Sequence, residues 1–407
     1  MAQSTLHPLS TKLAPLPDHV PADLVYDFDF IGDRLFAKDA PAGLARLAAE
    51  APPVFYTRAN GGHWVIAAPK LMEEVSRSDH LFDSARSDIP NSVHPQRLIP
   101  TNLDRPANLP FRMLLLRRLG PKAVKDLEER VRVEARQRIA GLRASGKCEL
   151  VADFAAPLPA TVFMEQAGMP LERRTEFQGL IHATLQETDR EKRDAVTARI
   201  IGIVTGMLEA RLDNPPDDIF GDIVKARVDG RALTMGEMQS MGYLLFLAGL
   251  DTVVSGIVYC LWQLGQRPDL QERLAADPSL IPRFVEEVLR LYGIAPNYRH
   301  VKNDTRFAGV EFRKGDMLIC MLPISGLDPA INPDPLAFDL DREKPSHLAF
   351  STGPHSCLGQ VLARMEMKVA VEEWLRQIPR FEVAEDSLAP NGHGGAVIGF
   401  EAVTLGW

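Results

Sequence analysis

The sequence predicts a mainly α-helical protein with a small β-rich lobe. Three observations predict it: helical periodicity that runs from Leu109 to about Gly293, a strong hairpin signal at Asn60-Gly61, and an alternating, turn-rich stretch that follows the helical run. The chain has 407 residues, 45% hydrophobic and 25% charged, which suffices for a sizeable core and excludes a disordered chain, a collagen and a small disulfide scaffold. A net charge of −8 argues against a global binder of nucleic acid or of an anionic membrane. Cys148, Cys260, Cys320 and Cys357 lie far apart with no C-x-x-C pair, so neither a zinc knuckle nor a disulfide framework is expected. No basic segment followed by an apolar one is visible at the start, and the expectation is a cytoplasmic protein with reduced thiols.

The elements follow in order. Residues 1–40 are rich in Pro, Asp and Phe without a clear period and should wrap the surface. PAGLARLAAEAP, from Pro41, reads as a helix; VFYTRANGGHWVIAA reads as two strands joined at Asn60-Gly61, and Pro69–Arg77 restores helical spacing. Residues 83–104 hold three prolines and no apolar period, the mark of a long loop with a functional role. The stretch 126–146 is an amphipathic helix with a Gly stop, Pro170–Met207 and Thr234–Gln266 continue the helical series, and 277–293 has an Asp-Pro start and a Gly end. Met241–Gly265 is almost long enough to span a bilayer, but Asp251 sits in its middle, so it reads as a helix buried in a core rather than in a membrane. After Gly293 the chain alternates, Gln360–Gln377 is a last strong helix, and the tail VIGFEAVTLGW is β-like. The whole chain, 1–407, reads as one interlocked domain. Its β-rich lobe comes from about 45–70 and 295–325 with the C-terminal tail, and its helical body from about 105–293 and 360–377.

Four groups of residues carry chemistry. The first is Phe350-Ser-Thr-Gly353-Pro-His355-Ser-Cys357-Leu-Gly359, a Gly- and Pro-punctuated loop running into a helix, where free N–H groups and the helix dipole favour a thiolate. Gly353 and Gly359 allow a tight turn and the close approach of a flat ligand. The second is Ala248-Gly249-Leu250-Asp251-Thr252, an acid beside an alcohol within an apolar helix, which needs explaining because a buried carboxylate is expensive unless paired. The third is Glu287-Val-Leu-Arg290, an ion-pair spacing on a helix that carries little information alone. The fourth comprises Arg112, Arg299 and Asn108, since an arginine fork suits carboxylates.

The spacing F-x-x-G-x-H-x-C-x-G, five specified positions in ten, resembles the haem-binding loop of the cytochrome P450 family, the haem-thiolate monooxygenases. The resemblance covers nearly the whole chain and implies that family's triangular prism, with haem b (iron protoporphyrin IX) held between a long distal helix and a proximal cysteine loop. It implies that Cys357 is the axial ligand of the haem iron, its thiolate favouring O–O cleavage. Phe350 would pack beside the sulfur and His355 would meet a haem propionate, as would Arg112, Asn108 and Arg299 by their positions. Gly249 would permit helix distortion, Asp251 and Thr252 would manage protons, and Glu287 with Arg290 would be a structural pair.

NGGHW (60–64), IPT (99–101), GLDTVV (249–254) and SGLD (325–328) are similar to the camphor hydroxylase group of that family. Where that group's camphor enzyme has a Tyr donor three residues before IPT, this chain has Gln96, which points away from camphor and toward a related terpenoid or norisoprenoid ketone. The implied pocket wall is Gln96, Leu98, Thr101, Leu185, Leu244, Leu247, Ala248, Ala295, Asn297 and Val397. No G-x-G-x-x-G follows a strand, so electrons should come from a separate 2Fe–2S ferredoxin and its NADH-dependent reductase. The partners then expected are these proteins, dioxygen and a small apolar substrate, with the enzyme a monomer. A peroxide-driven hydroxylase and a non-catalytic haem sensor or carrier are the alternatives, and the acid–alcohol pair speaks against both. A basic patch of Arg112, Arg117, Arg118, Lys122, Lys125, Lys344 and Arg364 is expected to receive the ferredoxin.

Overall fold

The computed structural model describes residues 12–85, 97–186, 190–249 and 252–407. Short α1 (Leu35–Lys38) leads into α2 (Ala40–Glu50), which starts where the Asp39 side chain accepts the Ala42 N–H at 3.0 Å and buries Leu44 and Leu47. Antiparallel β1 (Val54–Thr57) and β2 (His63–Ile66) pair Val54 with Ile66 and Thr57 with His63. Their connection is longer than the two-residue turn that Asn60-Gly61 suggests. Asn60, Gly61 and Gly62 all adopt positive φ (51°, 86° and 87°), so one tight turn is replaced by a wider one. After α3 (Pro69–Arg77) and β3 (Phe82–Asp83), the later β10 (Met317–Cys320) joins β2 in parallel. β7 (Asn297–Val301) then joins β10 antiparallel, giving the order β1-β2-β10-β7-β3.

The helical body comprises α4 (Leu109–Leu119), α5 (Pro121–Leu142), α6 (Pro157–Ala167), α7 (Arg174–Gln186), α8 (Arg190–Glu209), α9 (Ile219–Lys225), α10 (Met235–Ala248), α11 (Thr252–Gly265), α12 (Pro268–Ala276), α13 (Ile281–Leu291) and α14 (Gln360–Gln377). Its core gathers Phe154, Tyr243, Phe246 and Trp374; a second core under the sheet holds Phe28, Phe36, Phe55 and Trp64. Thr234 and Glu237 close a reciprocal capping box at the start of α10. The stretch Met235–Gly265 is apolar and long enough to cross a membrane, and most of it is buried in the body.

Three expectations change. The β lobe begins at Val54, not near residue 45, because α2 occupies 40–50. The helical run is broken by β4 (Lys147–Glu149) and by the hairpin of β5 (Arg227–Val228) and β6 (Arg231–Ala232). The tail does not complete the N-terminal sheet. Its β14 (Thr404–Gly406) instead bridges β4 and β11 (Glu382–Val383), pairing Leu405 with Cys148 and with Val383. A three-residue strand between helices carries too little period to be seen in sequence, and its partner lies more than 250 residues away.

Candidate active site

Phe350 to Gly359 form a loop held from three sides. The Cys357 N–H donates to the Phe350 carbonyl at 2.9 Å, and the Ser351 N–H to Leu348 at 2.7 Å. Gly353 takes φ +71°, and a Cβ there would stand 2.9 Å from the Ser76 carbonyl of α3, so only glycine fits both demands. Arg77, next along α3, donates to Thr352 Oγ1 at 2.8 Å. On the other side the Arg364 guanidinium sits 4.3 Å over the Phe350 ring while it bonds Glu286. Gly359 is the N-cap of α14.

Of the four cysteines, Cys357 alone is exposed. Most of its surroundings are nonetheless protein, so burial pushes its thiol up. The Gly359 and Gln360 N–H groups and the charges of Arg112 and Arg364 pull the other way. The expected preference for thiolate at this helix start is therefore outweighed by burial in the chain alone, and a bound cation is what would reverse it. Cys148 and Cys320 are buried and pushed up to about 12, and Cys260 is raised further.

The predicted polar residues converge on this loop. Arg112 Nη2 donates to the Ser356 carbonyl at 2.7 Å, and Asn108 Nδ2 to the Pro354 carbonyl at 3.5 Å. Arg299 spends Nη1 on Asn297 Oδ1 and the Tyr298 carbonyl, both at 2.7 Å, and Asn297 in turn donates to Ser351 Oγ at 3.0 Å. Asn297 is thus a strut between the sheet and the loop. His355 Nε2 lies 3.2 Å from Ser84 Oγ and 3.6 Å from an Asp104 carboxylate oxygen. Burial, then the Arg299 charge, push His355 down to about 4. Ser84, Asp104 and Ser351 were not singled out in sequence; Asp104, three residues before Ala107-Asn108, offered no pattern that pointed at a histidine 251 positions away.

Two buried polar atoms in this group are orphans. Asn108 Oδ1 and Arg299 Nη2 have no hydrogen-bond partner, although the residues are only 1% and 4% exposed. Such atoms are costly without an acceptor or donor, so the site is built for something else to supply one.

Glu287 and Arg290 do pair, fully buried, through two 2.8 Å bonds. The structure adds Arg342, whose Nε lies 3.2 Å from both Glu287 oxygens. Arg290 also holds the Gly326, Pro335 and Ala337 carbonyls, which ties the segment leading to the cysteine loop.

On α10, Leu244 and Leu247 are half-buried and Ala248 is exposed, whereas their neighbours Met241, Tyr243, Leu245 and Phe246 are buried in the core. Leu98, Thr101, Ala295 and Asn297 are likewise half-buried, whereas Val397 is buried. Thr252 Oγ1 donates to the Ala248 carbonyl at 3.4 Å. Gly249 lies outside both helices, and a Cβ there would meet the Phe163 ring at 2.7 Å, so its small size serves packing against α6. Gln96, Asp251 and the Leu185 side chain lie outside the described residues.

The model of the family described as Cytochrome P450 matches residues 275–391, the stretch that carries Glu287, Arg290, Arg299 and the cysteine loop. A probable cytochrome P450 127A1 of Sinorhizobium fredii is 33% identical over 99% of this chain and all of that protein. The chain belongs to the cytochrome P450 family. A steroid C26-monooxygenase of Mycobacterium tuberculosis is 29% identical over 93% of this chain and 96% of its own length. Among solved structures, CYP101J2 is 34% identical with a TM-score of 0.89, and CYP101C1 31% identical with 0.88; each match covers 97% of this chain and 100% of the other.

As a P450, the protein is a monooxygenase whose cofactor is haem b. The residues present fit that group. An open thiol sits at the start of a helix, and the orphaned Arg299 Nη2 is a donor without an acceptor of the kind a propionate offers. Arg112, whose guanidinium is lowered by burial and raised by the neighbouring Cys357, is a second cation in the same group. Cys357 would ligate the iron, and Arg112, Arg299, His355 and Asn108 would hold the carboxylate edge.

Proposed function

We propose that this cytochrome P450 hydroxylates an apolar cyclic substrate, a terpenoid or norisoprenoid ketone in class, with dioxygen and with electrons from a 2Fe–2S ferredoxin and an NADH-dependent reductase. The observation that carries the substrate class is the uncovered face of α10. Leu244, Leu247 and Ala248 follow helical spacing and leave apolar surface open on the C-terminal half of a helix whose Met241, Tyr243, Leu245 and Phe246 are buried. The similarity to two CYP101 structures supports a class I electron supply, the ferredoxin system.

With Cys357 as the residue that would hold it, a bound haem would supply the dioxygen chemistry. The chain's own residues do the rest. Leu98, Thr101, Leu244, Leu247 and Ala295 receive the ring system and exclude water, with Gln96 offering an amide donor to the ketone. Thr252, whose hydroxyl is held among the described residues by a 3.4 Å bond to Ala248, turns to pass a proton that Asp251 brings from solvent. Arg364 is committed to Glu286 and to the Phe350 ring, so it braces the loop that presents Cys357.

The docking surface for the ferredoxin is smaller than the basic run in the sequence suggests. Arg118 is neutralised by Asp222 at 2.7 Å and by Asp217. The exposed cations are Arg117, Lys122, Lys125 and Lys344. Beside Arg117, α4 exposes Leu109, Met113 and Leu116, an apolar stripe at i, i+4 and i+7. An apolar centre with a basic rim supports an acidic partner reaching Cys357 across Arg112.

The test is the ferric Soret band across a panel of terpenoid ketones. A saturable shift with at least one member, lost on widening the pocket by Leu244→Ala, is the expected result. A panel that leaves the band unmoved in a protein with normal carbon monoxide binding would remove the substrate class. Cys357→Ser should abolish the thiolate band of the reduced carbon monoxide complex while Cys148→Ala, Cys260→Ala and Cys320→Ala retain it.

A further inference from the structure

We propose that Arg138, Arg174 and Thr161 form a binding site for a phosphate-like dianion where α5, α6 and α7 meet, separate from the haem site. Thr161 Oγ1, on α6, accepts from Arg138 Nη2 of α5 at 2.9 Å and from Arg174 Nη1 of α7 at 3.2 Å. Two guanidiniums thus converge on one neutral oxygen, an arrangement that repels unless a negative charge joins it.

The charges around them do not cancel. Glu134 bonds both Arg138, at 2.6 Å, and Arg130, at 3.0 Å. Glu165 also bonds Arg130, at 2.5 Å. Arg174 has no carboxylate partner among the described residues. Three arginines therefore face two glutamates, and the excess charge belongs to Arg174. Burial, and after it the Arg174 charge among others, pull the Arg138 guanidinium below its ordinary value despite Glu134.

Donors are also in excess. Arg138 Nε and Arg174 Nε are both buried and have no acceptor. One helical turn beyond Arg174, Gln178 Nε2 donates to the Ala156 carbonyl at 2.9 Å, which holds this face of α7 against α6 and keeps the two forks near each other. Planar forks on two different helices with unspent N–H groups suit a tetrahedral oxyanion, which offers acceptors in more than one plane, better than a flat carboxylate. The anion would bind the start of α7 to α5 and α6.

A free phosphate ion and the phosphate of an organic ester offer the same chemistry, so both are probes. The measurement is thermal unfolding of the haem-loaded protein at constant ionic strength, with chloride replaced stepwise by inorganic phosphate or by glycerol 3-phosphate. The expected result is a rise in Tm of roughly 1–3 °C that saturates with at least one of the two. A response to the ester alone would assign the site to a phosphorylated metabolite. Arg174→Gln should lose the saturable rise yet unfold no earlier than wild type in chloride, because it removes an uncompensated charge. A purely structural Arg174 would instead lower Tm in every buffer. Arg306→Gln, an exposed control on β8 (Thr305–Phe307), should keep the full response. Equal Tm in chloride and in both phosphates, an unchanged rise in Arg174→Gln, or a lower Tm of that variant in chloride would each overturn the proposal.

Discussion

Two groups of buried charge bear on the Cys357 loop, and they differ in one respect. Around Glu287 every donor of Arg290 is spent: Nε and Nη2 on the carboxylate, the remaining bonds on three carbonyls, with Arg342 closing the other side. Around His355 the accounts stay open. Arg299 uses one terminal nitrogen and leaves the other buried and bare, and Asn108 does the same with its oxygen. Arg299 and Asn108 are buried as Glu287 and Arg290 are, so burial does not separate the two pairs. Satisfaction does: a saturated cluster is scaffold, and an unsaturated one is where a ligand completes the bonds.

Breaking the saturated cluster should have the largest effect. Glu287→Gln leaves two buried guanidiniums without their counter-charge and should lower the unfolding free energy by about 3–5 kcal/mol, read from the urea midpoint. The open group should respond otherwise. Arg299→Gln removes a charge from the propionate side and should weaken haem retention by about 1.5–3 kcal/mol, roughly 10- to 150-fold in the transfer of haem to apomyoglobin, while the unfolding midpoint of the haem-free chain stays within error or rises.

A second buried glutamate sharpens the contrast. Glu366, on α14, is 2% exposed, almost as buried as Glu287, but has no ion pair among the described residues, and burial pushes it up to about 8. Its folded value lies above its unfolded one of 4.5, so the native state keeps a proton that the unfolded chain releases. Stability from this group is full below pH 4.5 and falls by about 1.4 kcal/mol per pH unit between there and pH 8. Glu366→Gln should flatten that part of the stability–pH curve and unfold later than wild type at pH 8. An unaltered slope would place the titration on another residue.

The smallest effects belong to the surface. Arg117→Glu should slow ferredoxin-dependent haem reduction several-fold at low salt, less at high salt, with an unchanged Tm. Arg118→Glu should instead cost stability of about 1 kcal/mol, because it sets a third carboxylate against Asp217 and Asp222. Identical salt curves for Arg117→Glu and wild type would move the docking surface elsewhere.

Features written in short range were legible before any fold was known. The cysteine loop shows as five fixed positions in ten residues, the helices through spacing of three and four, and Glu287–Arg290 through a single turn of α13. Each depends on neighbours that the chain itself holds together. Only the tertiary structure decided that β14 pairs with β4, that Arg342 completes the Glu287 cluster, that Asn297 braces Ser351, and that Arg118 is spent on α9 and the turn before it. It also turned the helix-start argument for Cys357, since burial, a property of everything packed around the sulfur, outweighs the local N–H groups. These partners stand from 54 to more than 250 residues apart, and no period or spacing carries across such gaps. What the sequence determined by itself is which residues can do the chemistry; which of them remain unsatisfied, and so free to do it, is settled when distant segments pack and consume the rest.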